Sequence, residues 1–120
     1  PVVYIKRLFL FDGKPLAVGR SWLSLARFPG LDETGLGEKG LTATLRSRYN
    51  TIIRRFNDAI EAVRPAPDER NLLDVSYDCP LLMVRGLSFD QHNVPVEYST
   101  TYWLGDKVRF TVSMNTQEVE

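Results

Sequence analysis

The feature that most constrains this chain is a pair of tight-turn signals set between runs of strand-forming residues. Val2 to Phe11 is dense in β-branched and aromatic side chains and ends on Asp12-Gly13. That dipeptide supplies the positive φ that a two-residue hairpin requires. Leu16 to Leu23 is the returning strand, with Pro15 at its start, where a missing N–H does least harm. Further on, Leu81 to Phe89 and Pro95 to Leu104 flank the polar turn Asp90 to Val94. Gly105-Asp106 then leads into Val108 to Met114, whose Val108, Phe110, Val112 and Met114 share one face. Three strands joined by tight turns predict an antiparallel meander. The first hairpin and the Val84 to Val96 hairpin have similar outlines, a likeness too weak to mark a duplication.

The middle of the chain is helical in part. Phe28-Pro29-Gly30 opens a loop that runs to about Lys39. The spacing predicts a helix over Thr42 to Tyr49, with Leu41, Leu45 and Tyr49 on one face. Thr51 to Val63 fits helical spacing moderately well through Ile52, Ile53, Phe56, Ala59, Ile60 and Val63. Its alternation Phe56, Asp58, Ile60, Ala62 fits a long strand as well, and propensity does not decide between them. Pro65 and Pro67 end the segment. Asp68 is expected to cap a short helix to about Leu73, and the tail Asn115 to Glu120 is polar and expected to fray.

Composition narrows the chemistry. At 120 residues the chain suits one core. Fifteen Lys+Arg balance fifteen Asp+Glu, which argues against nucleic-acid binding by this piece alone, because that binding leans on excess cationic charge. No apolar run approaches the ~20 residues that span a bilayer, and there is no signal-peptide pattern, so no membrane partner is expected. The first residue is Pro1, which suggests an excised or processed piece of a longer protein. Cys79 and His92 are each alone. A lone cysteine fits a reducing cytoplasm. No ligand spacing for zinc exists, and Gly35 and Gly37 lack the rest of a phosphate loop. Neither a metal nor a cofactor is expected.

Strand alternation then sorts the candidate binding residues. Glu97, Ser99, Thr101 and Trp103 point one way from the Pro95 strand, offering a carboxylate, two hydroxyls and an indole N–H. A solvent-facing polar stripe is the plainer reading, and Trp103 tips the balance toward a pocket. On the first strand, Arg7 shares a face with Ile5, Phe9 and Phe11. An arginine among apolar neighbours is costly to bury unless an anion pairs with it, and its planar fork suits carboxylate or phosphate; an exposed arginine on a curled edge is the equal alternative. Arg20 is a second basic candidate. Gly40 to Thr44 offers free backbone N–H groups with the hydroxyls of Thr42 and Thr44, a setting that binds anions, although Thr42 could simply be an N-cap. These features converge on an anionic ligand.

The order of motifs resembles a known family. Val3-Tyr4-Ile5-Lys6-Arg7, Asp12 to Val18 and Arg20-Ser21-Trp22-Leu23 look like the opening hairpin of a UTRA domain, the effector-binding domain of the HutC branch of GntR-type bacterial transcription regulators. Phe28-Pro29-Gly30, Gly40 to Leu45 and Asp58 to Ala62 continue the similarity. Pro80 to Arg85, Asp90, Pro95 to Ser99, Tyr102 and Gly105 to Phe110 are its most specific stretch. The resemblance spans nearly the whole chain. It implies an α+β, chorismate-lyase-like fold, an antiparallel sheet flanked by helices with the ligand beside it, and so favours strand for Thr51 to Val63. It also implies effector contacts from Arg7, Thr42 with Thr44, and Glu97, with an aromatic at Trp103.

Two positions depart from the family: many relatives carry glutamate at Gly19 and a serine near Gly40, and their loss implies either a different effector or a weaker grip on a sugar-phosphate type ligand. The Gly40 to Leu45 helix start is closer to the phosphonate-linked regulators of this branch. The expected function is effector sensing and dimerisation in a cytoplasmic regulator, with residues 1–120 forming a UTRA domain that lacks its N-terminal segment. The family's first strand and helix and its winged-helix DNA-binding domain would precede Pro1. The alternatives are a chorismate-lyase-like enzyme acting on a small carboxylate and a purely structural dimer module.

Overall fold

A computed structural model describes residues 1–116. Five strands form one antiparallel sheet in the order β1-β2-β5-β4-β3: β1 Val2–Phe11, β2 Lys14–Ser24, β3 Arg55–Val63, β4 Leu81–Phe89 and β5 Pro95–Leu104. Three helices accompany it: α1 Leu31–Thr34, α2 Leu41–Tyr49 and α3 Pro67–Leu73. The α+β class expected from the sequence is therefore observed.

The turns behave as their residues dictate. Phe11 pairs with Lys14, leaving Asp12 and Gly13 as a two-residue loop with φ of 50° and 74°, the left-handed pair that matches the twist of a hairpin. At the β4–β5 turn, Asp90 Oδ1 accepts the backbone N–H groups of His92 and Val94 at 2.8 and 2.9 Å, closing the loop with a side chain in place of backbone. The register slips between Ser88 and Phe89, so Val96 stands unpaired at a bulge. Bulges re-aim side chains, and here Val96 enters the core.

Two apolar clusters hold the layers together. Val3, Leu23 and Val96 pack with Phe28, Leu31, Leu41 and Leu45, which seats α1 and α2 at one end of the sheet. Leu41 and Leu45 are buried as the helical spacing requires. Val18, Leu81 and Leu104 pack with Leu73, which seats α3 on the opposite face at the other end. The two hairpins meet through their second strands, β2 and β5.

Several expectations need correction. Thr51 to Val63 is a strand, but only from Arg55. It is an edge strand exposed on nearly its whole length, so burial imposes no clear period on it. The loop from Phe28 contains α1, a single turn entered through Gly30 at φ 83°. The N-cap of α2 is Gly40, with Thr42 one residue inside Leu41, and the N-cap of α3 is Ala66, with Asp68 inside the first turn. Val108 to Met114 is not a strand. Strand propensity without a neighbouring edge leaves the ladder unmade, so the three-strand meander reduces to the β4–β5 hairpin. The expected fraying of Asn115 to Glu120 concerns, from residue 117 on, positions outside the described residues.

Candidate functional site

Register sorts every strand residue onto one of two faces. On the face that α1 and α2 cover at one end, directly opposed residues form rows across the sheet. Arg7, Gly19, Thr101, Val84 and Ile60 make one row, and Ile5, Ser21, Ser99, Gly86 and Asp58 the next. Leu23, Glu97 and Ser88 lie beyond, and Phe9, Ala17, Trp103 and Leu82 bound the far side. The middle of this face is therefore small and hydroxyl-rich: two glycines, Ser21, Ser99 and Thr101. Aromatic and charged side chains surround it.

Close packing explains the glycines. A Cβ at Gly19 would stand 2.9 Å from Cε2 of Phe9. A Cβ at Gly86 would collide with the backbone and carboxylate of the neighbouring edge strand at Asn57 and Asp58. Phe9 and Trp103 stack nearly parallel at 6.3 Å, and Phe110 meets Trp103 edge-on at 6.0 Å. These three rings stand together at one end of the face.

Arg7 is the one cation in these rows, which also carry the carboxylates of Asp58 and Glu97. Its guanidinium lies 5.0 Å from the Phe9 ring centroid, within cation–π range. One Nη2–H donates a long 3.4 Å hydrogen bond to Oγ of the fully buried Ser21. Nε of Arg7 is buried and meets no acceptor among the described residues. Buried donors are nearly always partnered, so this atom marks a place where an acceptor would be well received. A hollow of ≈ 510 Å³ runs along the β1 edge from Val2 to Arg7, closed on its other side by Leu31, Asp32, Gly35 and Leu36.

The other sequence candidates divide. Ser99, Glu97 and Trp103 share the Arg7 face, Ser99 directly opposite Ser21. Oε1 of Glu97 accepts a 3.5 Å bond from Oγ of buried Ser88. Thr42 is exposed in the first turn of α2, where the leading N–H groups have no intrahelical acceptor. Thr44 is buried, and its hydroxyl is already engaged. It donates to the Gly40 carbonyl at 2.7 Å and accepts from the Gly37 N–H at 3.0 Å, holding the loop before α2 in place.

Arg20 stands apart. It opposes Lys6 on the other face of the sheet, where its guanidinium pairs with Asp68 and with Glu69, the latter at 2.9 Å. Burial opposes its charge, but the two carboxylates outweigh it and raise its pKa. Asp68 in turn is pulled below the usual carboxylate range by Lys6 first and Arg20 second. The sequence reading overlooked Ser21, whose signal was its place between Gly19 and Leu23 on the Arg7 side of β2, and Phe9, visible from the same alternation. Among the described residues no cluster of three or more His, Cys, Asp or Glu could hold a metal ion, and no helix is long and apolar enough to cross a membrane.

Arg7 thus stands among small and hydroxyl-bearing residues on an open antiparallel sheet face. The chain belongs to the UTRA domain family, whose model matches residues 1–109. It is similar to the HTH-type transcriptional repressor PhnF of Mycolicibacterium smegmatis, at 31% identity over 98% of this chain and 48% of that protein. It is also similar to the probable fructoselysine utilization operon transcriptional repressor of Escherichia coli K12, at 25% identity over 92% of this chain and 46% of that one. The solved effector domain of PhnF from Mycobacterium smegmatis superposes with a TM-score of 0.88 at 31% identity, covering 97% of this chain and 71% of that domain. The chain spans about half the length of the curated relatives it matches. The family expected from the motifs, and its fold, are thus established for this chain.

Proposed function

We propose that this chain is the effector-sensing and dimerising domain of a GntR/HutC-type transcription regulator, and that its effector is a small anion. Arg7 carries this reading: its guanidinium lies over Phe9 and beside Ser21, with Nε buried and without an acceptor. A carboxylate, phosphate or phosphonate oxygen would meet a charge-assisted donor there, with Thr101 in the same row, Ser99 in the next and Trp103 at one end. Glu97 would accept from a hydroxyl or ammonium on the same ligand. Thr42 and the open N–H groups of α2 are the second place for negative charge. Thr44 supports that helix start without touching the ligand, and Arg20 has no part in the site. The likeness to transcriptional repressors supports binding rather than turnover as the output.

In this reading the working unit is a cytoplasmic homodimer, DNA is reached through a separate domain of the parent protein, and no cofactor, metal or membrane is involved. The effector acts only through its difference in affinity for two dimer arrangements. A thermal-shift screen of inorganic phosphate, alkyl phosphonates, small carboxylates and neutral sugars tests it. An anion is expected to raise the unfolding temperature by mass action on the folded state. No stabilisation by any anion, or turnover of a small carboxylate such as chorismate, would contradict the reading.

A further inference from the structure

Arg55, Asp58 and Glu61 are the charged residues of the edge strand β3. Two of them have partners. Arg55 donates to Oδ1 of Asn93 at 2.8 and 3.1 Å, and Glu61 pairs with Arg85 at 3.1 Å. Both leave the strand on the face opposite Arg7. Asp58 leaves it on the Arg7 face and forms no ion pair among the described residues. Charge on an edge strand keeps it from pairing with strangers, and Arg55 and Glu61 already provide that.

The Asp58 carboxylate leans inward. Gly86 leaves the space of a Cβ open, and Oδ1 of Asp58 fills it. The carboxylate therefore stands over β4, next to Ser99, which opposes Gly86 on β5. Glu97 brings a second carboxylate to the same strand. Its Oε1 meets Oγ of Ser88, the next residue of β4 on this face after Gly86. Two residues of strand span ~7 Å, so the two carboxylates stand on either side of one position above β4. Glu97 likewise forms no ion pair among the described residues. An ammonium lodged between them would find an acceptor on each side.

The distance to Arg7 limits what else such a ligand carries. The Arg7 guanidinium is tied to Ser21 on β2, and β5 alone separates β2 from β4. The cation and the Asp58 carboxylate thus lie two strand spacings apart, ~10 Å. A charge-assisted hydrogen bond of ~2.8 Å at each end leaves ~4 Å between an anionic oxygen and an ammonium nitrogen. A chain of two or three carbons covers that span, at ~1.5 Å per bond.

We propose that the ligand of this face is a short zwitterion, with a phosphonate, phosphate or carboxylate on Arg7 joined through two or three carbons to a primary ammonium held between Asp58 and Glu97. Ser21 and Ser99 lie in the row between its two ends. Asp58 is then the residue that tells an amino compound from a simple anion. The inference deepens the reading of Arg7 as an anion receptor and rests on it.

Isothermal titration of the 120-residue chain tests it with two matched pairs: 3-aminopropylphosphonate against propylphosphonate, and γ-aminobutyrate against butyrate. Wild type should bind at least one amino compound about fivefold or more tightly than its amine-free partner, the return expected from a charged hydrogen bond in a half-open site. Asp58→Asn keeps the shape and removes the charge. It should lose most of that preference while unfolding at the wild-type temperature, since Asp58 is exposed and unpaired among the described residues. Glu61→Gln removes a carboxylate from the other face of the same strand and should keep the preference. Equal or weaker wild-type affinity for the amino compounds would overturn the ammonium site and leave the Arg7 reading standing. A preference that Asp58→Asn retains in full would overturn the assignment of Asp58. Binding of none of the four at ~10 mM, well above a millimolar dissociation constant, would overturn the zwitterion, and the wider anion screen then decides the Arg7 reading separately.

Discussion

Arg7 and Arg20 sit on neighbouring strands and face opposite sides of the same sheet. Arg7 opposes Gly19 and points toward the hydroxyl floor; Arg20, one residue on, opposes Lys6 and points toward α3. A single residue of alternation thus separates an arginine whose buried Nε has no acceptor among the described residues from one that is already paired with Asp68 and Glu69.

The expected consequence is a clean separation of stability from binding. Arg20→Ala leaves the buried Glu69 carboxylate without its cation, which should cost about 1–3 kcal/mol in urea unfolding. Anion affinity, measured on the folded variant, should stay within twofold of wild type. A tenfold loss of affinity would place Arg20 in the site after all.

Gly86 tests the packing beneath that face. No Cβ fits there, because Asn57 and Asp58 of the edge strand occupy the space. Gly86→Ala should push β3 away from β4 and cost about 1–3 kcal/mol, the usual range for overpacking, and hydrogen exchange should quicken first at β3 amides. Wild-type protection in β3 would show that the strand adjusts freely.

Asp90 sets an acid limit. Its carboxyl is held down to about 2, chiefly by the Val94 N–H, with Arg27 and the His92 N–H adding to this against the opposing effect of burial. Its pKa is lower folded than unfolded (~4), so the unfolded chain takes up the proton first. The stabilising charge is complete above pH ~4 and is lost as the pH falls toward 2. Asp90→Asn keeps an acceptor but loses the ion pair to Arg27. It should melt lower at pH 7, and its melting temperature should fall less steeply between pH 4 and pH 2. Parallel curves for the two proteins would assign the acid sensitivity elsewhere.

Thr44 separates support from contact. Its hydroxyl bridges Gly37 and Gly40, so Thr44→Val should free the loop before α2 and destabilise by about 1–2 kcal/mol, while Thr44→Ser, which keeps both bonds, should restore most of the loss. Equal stability of the two variants would remove the hydroxyl from that role.

The contrast between these residues also shows what the sequence could disclose. Tight turns are local, so Asp12-Gly13 and Asp90 to Val94 marked four of the five strands almost to the residue. The α1 turn was hidden because one turn carries no periodicity. β3 was ambiguous because an exposed edge has no buried stripe to read. Val108 to Met114 has the pattern of a strand, but pairing depends on a partner edge that composition does not contain. Alternation put Glu97, Ser99, Thr101 and Trp103 on one face of β5, and the register adds Arg7 to that face. It could not show that Arg20 has two carboxylates waiting on α3, or that the Thr44 hydroxyl is already spent, since both depend on contacts between distant segments.

The account turns on one guanidinium. Isothermal titration of the best-stabilising anion against wild type, Arg7→Ala and Arg7→Lys measures it most directly. Wild type should bind, Arg7→Ala should lose at least tenfold in affinity while unfolding at a similar temperature, and Arg7→Lys should recover only part, because an ammonium lacks the planar fork. Wild-type affinity in Arg7→Ala would contradict the site and the function built on it.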